Sequence, residues 1–168
     1  MKRYVPLLTF LPVLAISVMI FCFSSQTSTE SSGISAVITE FVLENFYPKY
    51  DFLNNTDKFL VFNNVCHIIR KLAHFTEFFL LGFFLNLHIK TINNYKCADL
   101  NRKLYIKIAA ISIVIGVLYA ITDEMHQMMV FGRVASSFDV LIDSSGVFCG
   151  VVLLMFISRL LDARKLRS

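Results

Sequence analysis

Arg70, His74 and Glu77 lie at i, i+4 and i+7 within "RKLAHFTEF", so a helix carries all three on one face with Lys71 alongside. A second group stands in "DEMHQMMVFGRVASSFD", which holds Asp123, Glu124, His126, Gln127, Arg133 and Asp139, and Asp143 follows one turn later. Carboxylates beside an imidazole are the residue types of general acid–base work. Glu77 or Asp123 would take or give a proton, and His74, one turn from Glu77, would shuttle it. Arg133 offers the planar fork that binds phosphate or carboxylate through two bonds. No Ser-His-Asp order and no H-E-x-x-H motif supports a particular hydrolysis. His74, Glu77, Asp123, Glu124 and His126 are of metal-ligating type, but their spacing matches no metal motif, so neither a metal nor a cofactor is expected. Catalysis therefore stays open, with Glu77, Asp123 and His74 as candidates. The expected binding set is Arg70, Lys71, His74, Glu77, Asp123, Glu124, Gln127, Arg133, Asp139 and Asp143.

These residues sit in a chain that is 56% apolar over 168 residues, with 17 Phe, no Trp and a mean hydropathy of +0.64. Soluble domains run at about 45–50% apolar. Four segments have the roughly 20 mostly apolar residues that cross a bilayer as a helix: Tyr4 to Phe23, Leu72 to Ile89, Leu104 to Thr122 and Phe138 to Leu161. The expected fold is an all-α integral membrane bundle of four transmembrane helices, forming one domain over residues 1–168. The first segment has too long an apolar core for a typical signal peptide and no A-x-A site after it, so it reads as an uncleaved helix.

Eleven of the 16 basic residues cluster before the first segment (Lys2, Arg3), between the second and third (Lys90, Lys96, Arg102, Lys103, Lys107) and at the C-terminus (Arg159, Arg164, Lys165, Arg167). The other two connections carry only Lys49, Lys58, Arg70, Lys71 and Arg133. By the positive-inside rule both termini are cytoplasmic, and residues 25–71 and 123–137 lie outside. All acids except Asp99 and Asp162 then fall on the outer half. The basic clusters are topology signals, and no nucleic-acid partner is expected. Cys22, Cys66, Cys97 and Cys149 are single and scattered, implying no disulfide framework.

Two further helix features bear on the site. "ISAVITEFVLENFYP" puts Ile34, Val37, Ile38, Phe41 and Val42 on one face and ends at Pro48, which predicts a short amphipathic helix on the outer leaflet or capping the bundle. Thr56 or Asp57 is positioned to cap the helix that follows. In the third and fourth segments the stripes Ser112, Gly116, Ala120, Asp123, Gln127 and Asp139, Asp143, Gly146, Gly150 repeat the polar-at-one-end pattern of the second. The spacing Gly146-x-x-x-Gly150 allows close helix approach. A charge at the centre of a span costs about 2.5–3.5 kcal/mol on insertion scales. The three stripes should therefore face one another, with Arg70, Lys71, His74 and Arg133 as countercharges. Asp139 and Asp143, one turn apart in a medium of low dielectric, should not both be charged.

"FSSQ" closing the first helix, "RKLAHFTEF", "DEMHQ", "FGR" and "SSFDVLIDSSGVFCG" resemble the VanZ-like family, named for a teicoplanin-resistance membrane protein, from about Phe21 to Gly150. The resemblance implies a small multi-pass protein of the bacterial cytoplasmic membrane, in a family of which some members lower sensitivity to glycopeptide antibiotics. The family's polar pattern falls on the binding set given above. Three positions depart from it: Phe78 where Tyr is common, Asp143 where Asn is usual, and Phe131 where Pro often precedes Gly-Arg. The expected function is binding or modification of a cell-envelope lipid or lipid-linked wall component. The expected partners are membrane lipids and a cell-wall precursor or glycopeptide. One alternative is an intramembrane enzyme using carboxylate and His acid–base chemistry on a lipid. A proton- or ion-coupled transporter is the other. It is less favoured, because only Asn86, His88 and Lys107 carry polarity toward the cytoplasmic side.

Overall fold

The computed structural model describes residues 5–96, 102–134 and 136–165. Tyr4, Lys2, Arg3, Cys97, Asp99 and Arg167 lie outside the described residues, as do the side chains of Lys96, Arg164 and Lys165. Among the described residues the chain is built from helices alone: α1 (Val5–Ser24), α2 (Ser28–Phe46), a 3₁₀ turn (Tyr50–Phe52), α3 (Asn55–Lys96), α4 (Arg102–Gln127) and α5 (Ser137–Lys165). Four of these, α1, α3, α4 and α5, are long and apolar enough to cross a membrane.

α3 is the central element, packing on α5, α1, α2 and α4. Its 42 residues make a rod of about 63 Å, some twice the thickness of a bilayer's hydrocarbon core. The apolar segment 72–89 is thus the middle of a longer helix. Its start is capped by Asn54, whose Oδ1 accepts the Asp57 backbone N–H at 2.8 Å, and not by Thr56 or Asp57. The Asn54 amide in turn donates to the Asp57 carboxylate at 2.9 Å.

α3 and α5 approach closely because three glycines leave room. A methyl group on Gly146 would stand 2.5 Å from the Phe75 carbonyl oxygen, and one on Gly150 would overlap the Phe79 carbonyl. On α3 itself, a methyl on Gly82 would meet the Val147 backbone, and Gly116 of α4 receives the Val147 side chain. Phe78, Leu81, Ala120, Val147, Val151 and Ile20 form the buried core around this seam. The opposite faces, including Leu7, Leu8 and Leu11 of α1, Val114 and Leu118 of α4, and Phe148 and Phe156 of α5, are exposed and apolar. An outward apolar surface of this kind suits lipid.

α2 lies along the first part of α3, with the Cys66 thiol 3.9 Å from the Ser32 carbonyl oxygen and the Arg70 guanidinium on the Ser32 hydroxyl. Thr27 and Glu30 form a capping box at its start, and the Thr27 hydrogen bonds hold the Glu30 carboxyl below its ordinary value. The helix is 19 residues long and packs on α3 through its small polar side chains. Ser31, Ser35, Thr39 and Leu43 are buried, whereas Ile34, Val37, Ile38 and Phe41 are exposed. The hydroxyls bury at small cost because Ser35 and Thr39 donate to carbonyls one turn back in their own helix. Small side chains then let α2 sit close to α3.

Candidate functional site

The site occupies the end of the bundle where α1 finishes, α4 turns into α5 and α2 begins. α3 brings Arg70, Lys71, His74 and Glu77 to it. α4 brings Asp123, Glu124 and Gln127, the α4–α5 turn brings Arg133, and α5 brings Asp139 and Asp143. A cavity of about 290 Å³ opens among them. Arg70, Lys71, His74, Glu124, Gln127, Arg133, Asp139 and Asp143 line it, joined by Ser28, His67, Val134 and Ile142. Asp123 is buried just behind, with one ligand atom each of His74, Asp123 and Asp143 within 4.8 Å of the others. Glu77 lies almost a turn deeper, its Oε2 4.0 Å from His74 Nδ1, and does not line the cavity. His126 is not part of the site: it stacks on Phe21 of α1 at a ring separation of 4.7 Å.

The countercharges are distributed unevenly. Lys71 pairs with Asp139 at 2.5 Å and lies over the Phe138 ring. Arg70 spends one guanidinium nitrogen on the Ser32 hydroxyl at 2.8 Å, and its buried Nε has no partner among the described residues. Arg133 makes no direct pair with an acid. Its Nε donates to the Gln26 carbonyl at 3.0 Å, one terminal nitrogen to the Phe23 carbonyl at 3.2 Å and the other to Gln127 Oε1 at 2.7 Å. Gln127 passes the connection on, its amide donating to Asp123 Oδ2 at 2.8 Å, where the Ser24 hydroxyl also donates at 2.8 Å. Burial, and after it the charge of Arg70, pulls the Arg133 pKa below its ordinary value. The fork expected to clasp a ligand thus chiefly ties the α4–α5 turn to the end of α1.

Glu124 and Asp143 are the acids left over. Glu124 is 6% exposed; its Oε1 accepts the Ser136 backbone N–H at 2.6 Å, while its buried Oε2 has no partner among the described residues. Asp143 is 2% exposed and makes no hydrogen bond among the described residues, although it lines the cavity. The neighbouring carboxylates Asp139 and Asp143 therefore have different surroundings, the first beside an ammonium and the second without a cation in contact.

Several contributors escape a reading by spacing. Ser24, Ser28, Ser32 and Ser136 are small hydroxyl residues of helix ends that gain meaning only from their neighbours across the bundle. His67 stands one turn before Lys71 on the α3 face, which is the signal that could have found it. Gly132, in the left-handed region at φ 77°, turns the α4–α5 connection back over Ser28. Away from the cavity, the core of Phe78, Leu81, Ala120 and Val147 lies between the site and a deeper polar pair, where Ser112 donates to Asn86 at 3.4 Å.

No curated protein and no solved structure shows significant similarity to the chain. The VanZ/LLP1 family model matches residues 9–158, which include every residue of the cavity, the whole of α3 and α4 and most of α1 and α5. The "RKLAHFTEF", "DEMHQ" and "FGR" segments that converge on the cavity all fall within the matched range, and the chain belongs to the VanZ/LLP1 family.

Proposed function

We propose that the protein binds the polar head of a lipid or lipid-linked cell-envelope component at the outer leaflet of the bacterial cytoplasmic membrane. The observation that carries this reading is the cavity itself. At about 290 Å³ it is too small for acyl chains and suits a headgroup. Arg70, with its unpartnered Nε, lines the cavity together with Lys71 and Arg133 and is the side chain that favours an anionic group such as phosphate. Met129, Phe131, Val134 and Phe138 are exposed around the adjoining turn, where apolar chains would lie. The buried apolar layer beneath the site speaks against a conduit, since it interrupts the polar groups.

The family's link to glycopeptide sensitivity makes a wall precursor a natural occupant, and binding needs no nucleophile. Modification of the same component is the second reading. It is favoured by His74 standing within 4.0 Å of Glu77 and within 4.8 Å of Asp123, which gathers acid–base groups next to the cavity. Mass spectrometry of lipids that co-purify with the wild type and with Arg70→Gln tests the first reading. A specific anionic lipid, retained by the wild type and lost from the variant, is expected. Equal lipid profiles for the two proteins would overturn it. Whole-lipid extracts of cells with and without the protein separate the two readings, because a new or missing species marks an enzyme.

A further inference from the structure

Three carboxyl side chains, those of Asp123, Glu124 and Asp143, meet here without a lysine or arginine in contact. Arg70 is bonded to Ser32, Lys71 to Asp139, and Arg133 to backbone carbonyls and Gln127. None of them touches Asp123, Glu124 or Asp143 among the described residues. Counting Glu77 and Asp139, five carboxyl groups face three basic side chains in a largely buried volume, so full ionisation would leave an excess of two negative charges. Buried uncompensated charge is costly, and a divalent cation removes that excess.

We infer that His74, Asp123 and Asp143 form a binding site for a divalent transition-metal ion. The three come from α3, α4 and α5, and one ligand atom from each lies within 4.8 Å of the other two. Ligands at about 2.1 Å from one ion stand at most about 4.2 Å apart, so the site closes on a metal by about half an ångström. One imidazole with two carboxylates is a donor set that suits Mn²⁺, Fe²⁺ or Zn²⁺.

The surroundings are those of a supported metal site. Ser24 and Gln127 both donate to Asp123 Oδ2 and leave its other oxygen free. Glu77 Oε2 stands 4.0 Å from His74 Nδ1, and neither buried atom has a hydrogen-bond partner among the described residues, so a small closure would let Glu77 hold the ring of a ligating imidazole. Independently of the trio, Glu124 is more than nine-tenths buried, faces the same cavity and has Oε2 unpartnered, as a side chain awaiting a ligand does. Three protein ligands leave coordination positions open, and His74 and Asp143 border the cavity into which those positions would face. Metal binding requires no lipid, so it can be measured apart from headgroup capture.

The test uses the full chain in detergent, stripped with a chelator and titrated with Mn²⁺ alone, with free Mn²⁺ read by electron paramagnetic resonance. Saturable binding of one ion per chain is expected, together with a rise in the thermal unfolding temperature followed by circular dichroism. Asp143→Asn and His74→Gln should each weaken binding at least tenfold. Glu44→Gln, an exposed acid of α2, should leave it unchanged. Both site variants are compared only after their helical spectra match the wild type. No saturable binding by the wild type, or equal binding by the folded site variants, would overturn the assignment.

Discussion

At the scale of single residues the site is ordered by a relay. Arg133 is fixed by two carbonyls at the end of α1 and reaches Asp123 only through Gln127. Removing Gln127 strands a guanidinium donor and leaves Asp123 with Ser24 alone. Gln127→Leu and Arg133→Leu should each lower stability by about 1–3 kcal/mol, the cost of a half-buried polar group left unmatched. Their double variant should lose less than the sum, because either change already breaks the relay. Denaturant unfolding in detergent checks this, and strict additivity would show that the three residues do not act together. The faces themselves were legible in the chain, since Arg70, His74 and Glu77 follow helical spacing and so do Asp123 and Gln127. Partner choice was not. Lys71 finds Asp139, yet Arg133 is captured by Phe23 and Gln26, and no periodicity links a turn residue to carbonyls more than a hundred positions earlier.

Among the elements, the α3–α5 seam and α2 show how far pattern reading extends. Gly146-x-x-x-Gly150 predicts a close helix contact, and the Phe75 and Phe79 carbonyls lie where added methyls would stand. α2 is different. Its apolar stripe marks an amphipathic helix but does not tell which side packs on protein, and here Ser31, Ser35 and Thr39 pack inward while Ile34, Val37 and Phe41 point away. In a membrane protein small hydroxyl residues bury well and apolar ones need no cover. Two glycine substitutions make the contrast measurable. Gly146→Ala drives a methyl into α3 backbone and should lower stability by about 1–3 kcal/mol. Gly33→Ala in α2 meets nothing within 4 Å and should raise stability by up to about 1 kcal/mol, the difference in helix propensity. Thermal unfolding of the two variants reads the signs directly, and a shift in the same direction for both would contradict the packing described.

For the whole molecule, the decisive property is which way the cavity opens. Hydropathy marked four spans and bounded the second at residues 72–89, while the capping residues near Thr56 and Asp57 already placed the start of its helix well before the apolar part. α3 runs from Asn55 to Lys96, and α2 packs on the part that precedes the apolar segment. Ser24, Gln127 and Asp139 lie at one end of the bundle, and the basic residues Lys90, Lys103 and Lys107 belong to the other. The positive-inside rule predicts that the cavity and the α2–α3 hairpin face outside, which would bring an envelope lipid headgroup within reach. In a chain with Cys22, Cys66, Cys97 and Cys149 replaced, Asn55→Cys should react with an impermeant maleimide on intact cells. Lys103→Cys should react only after permeabilisation. Both positions are exposed, so failure to label reports sidedness and not burial. The reverse pattern would turn the cavity toward the cytoplasm and remove outer-leaflet components from its reach, while leaving the metal assignment to stand or fall on its own titration.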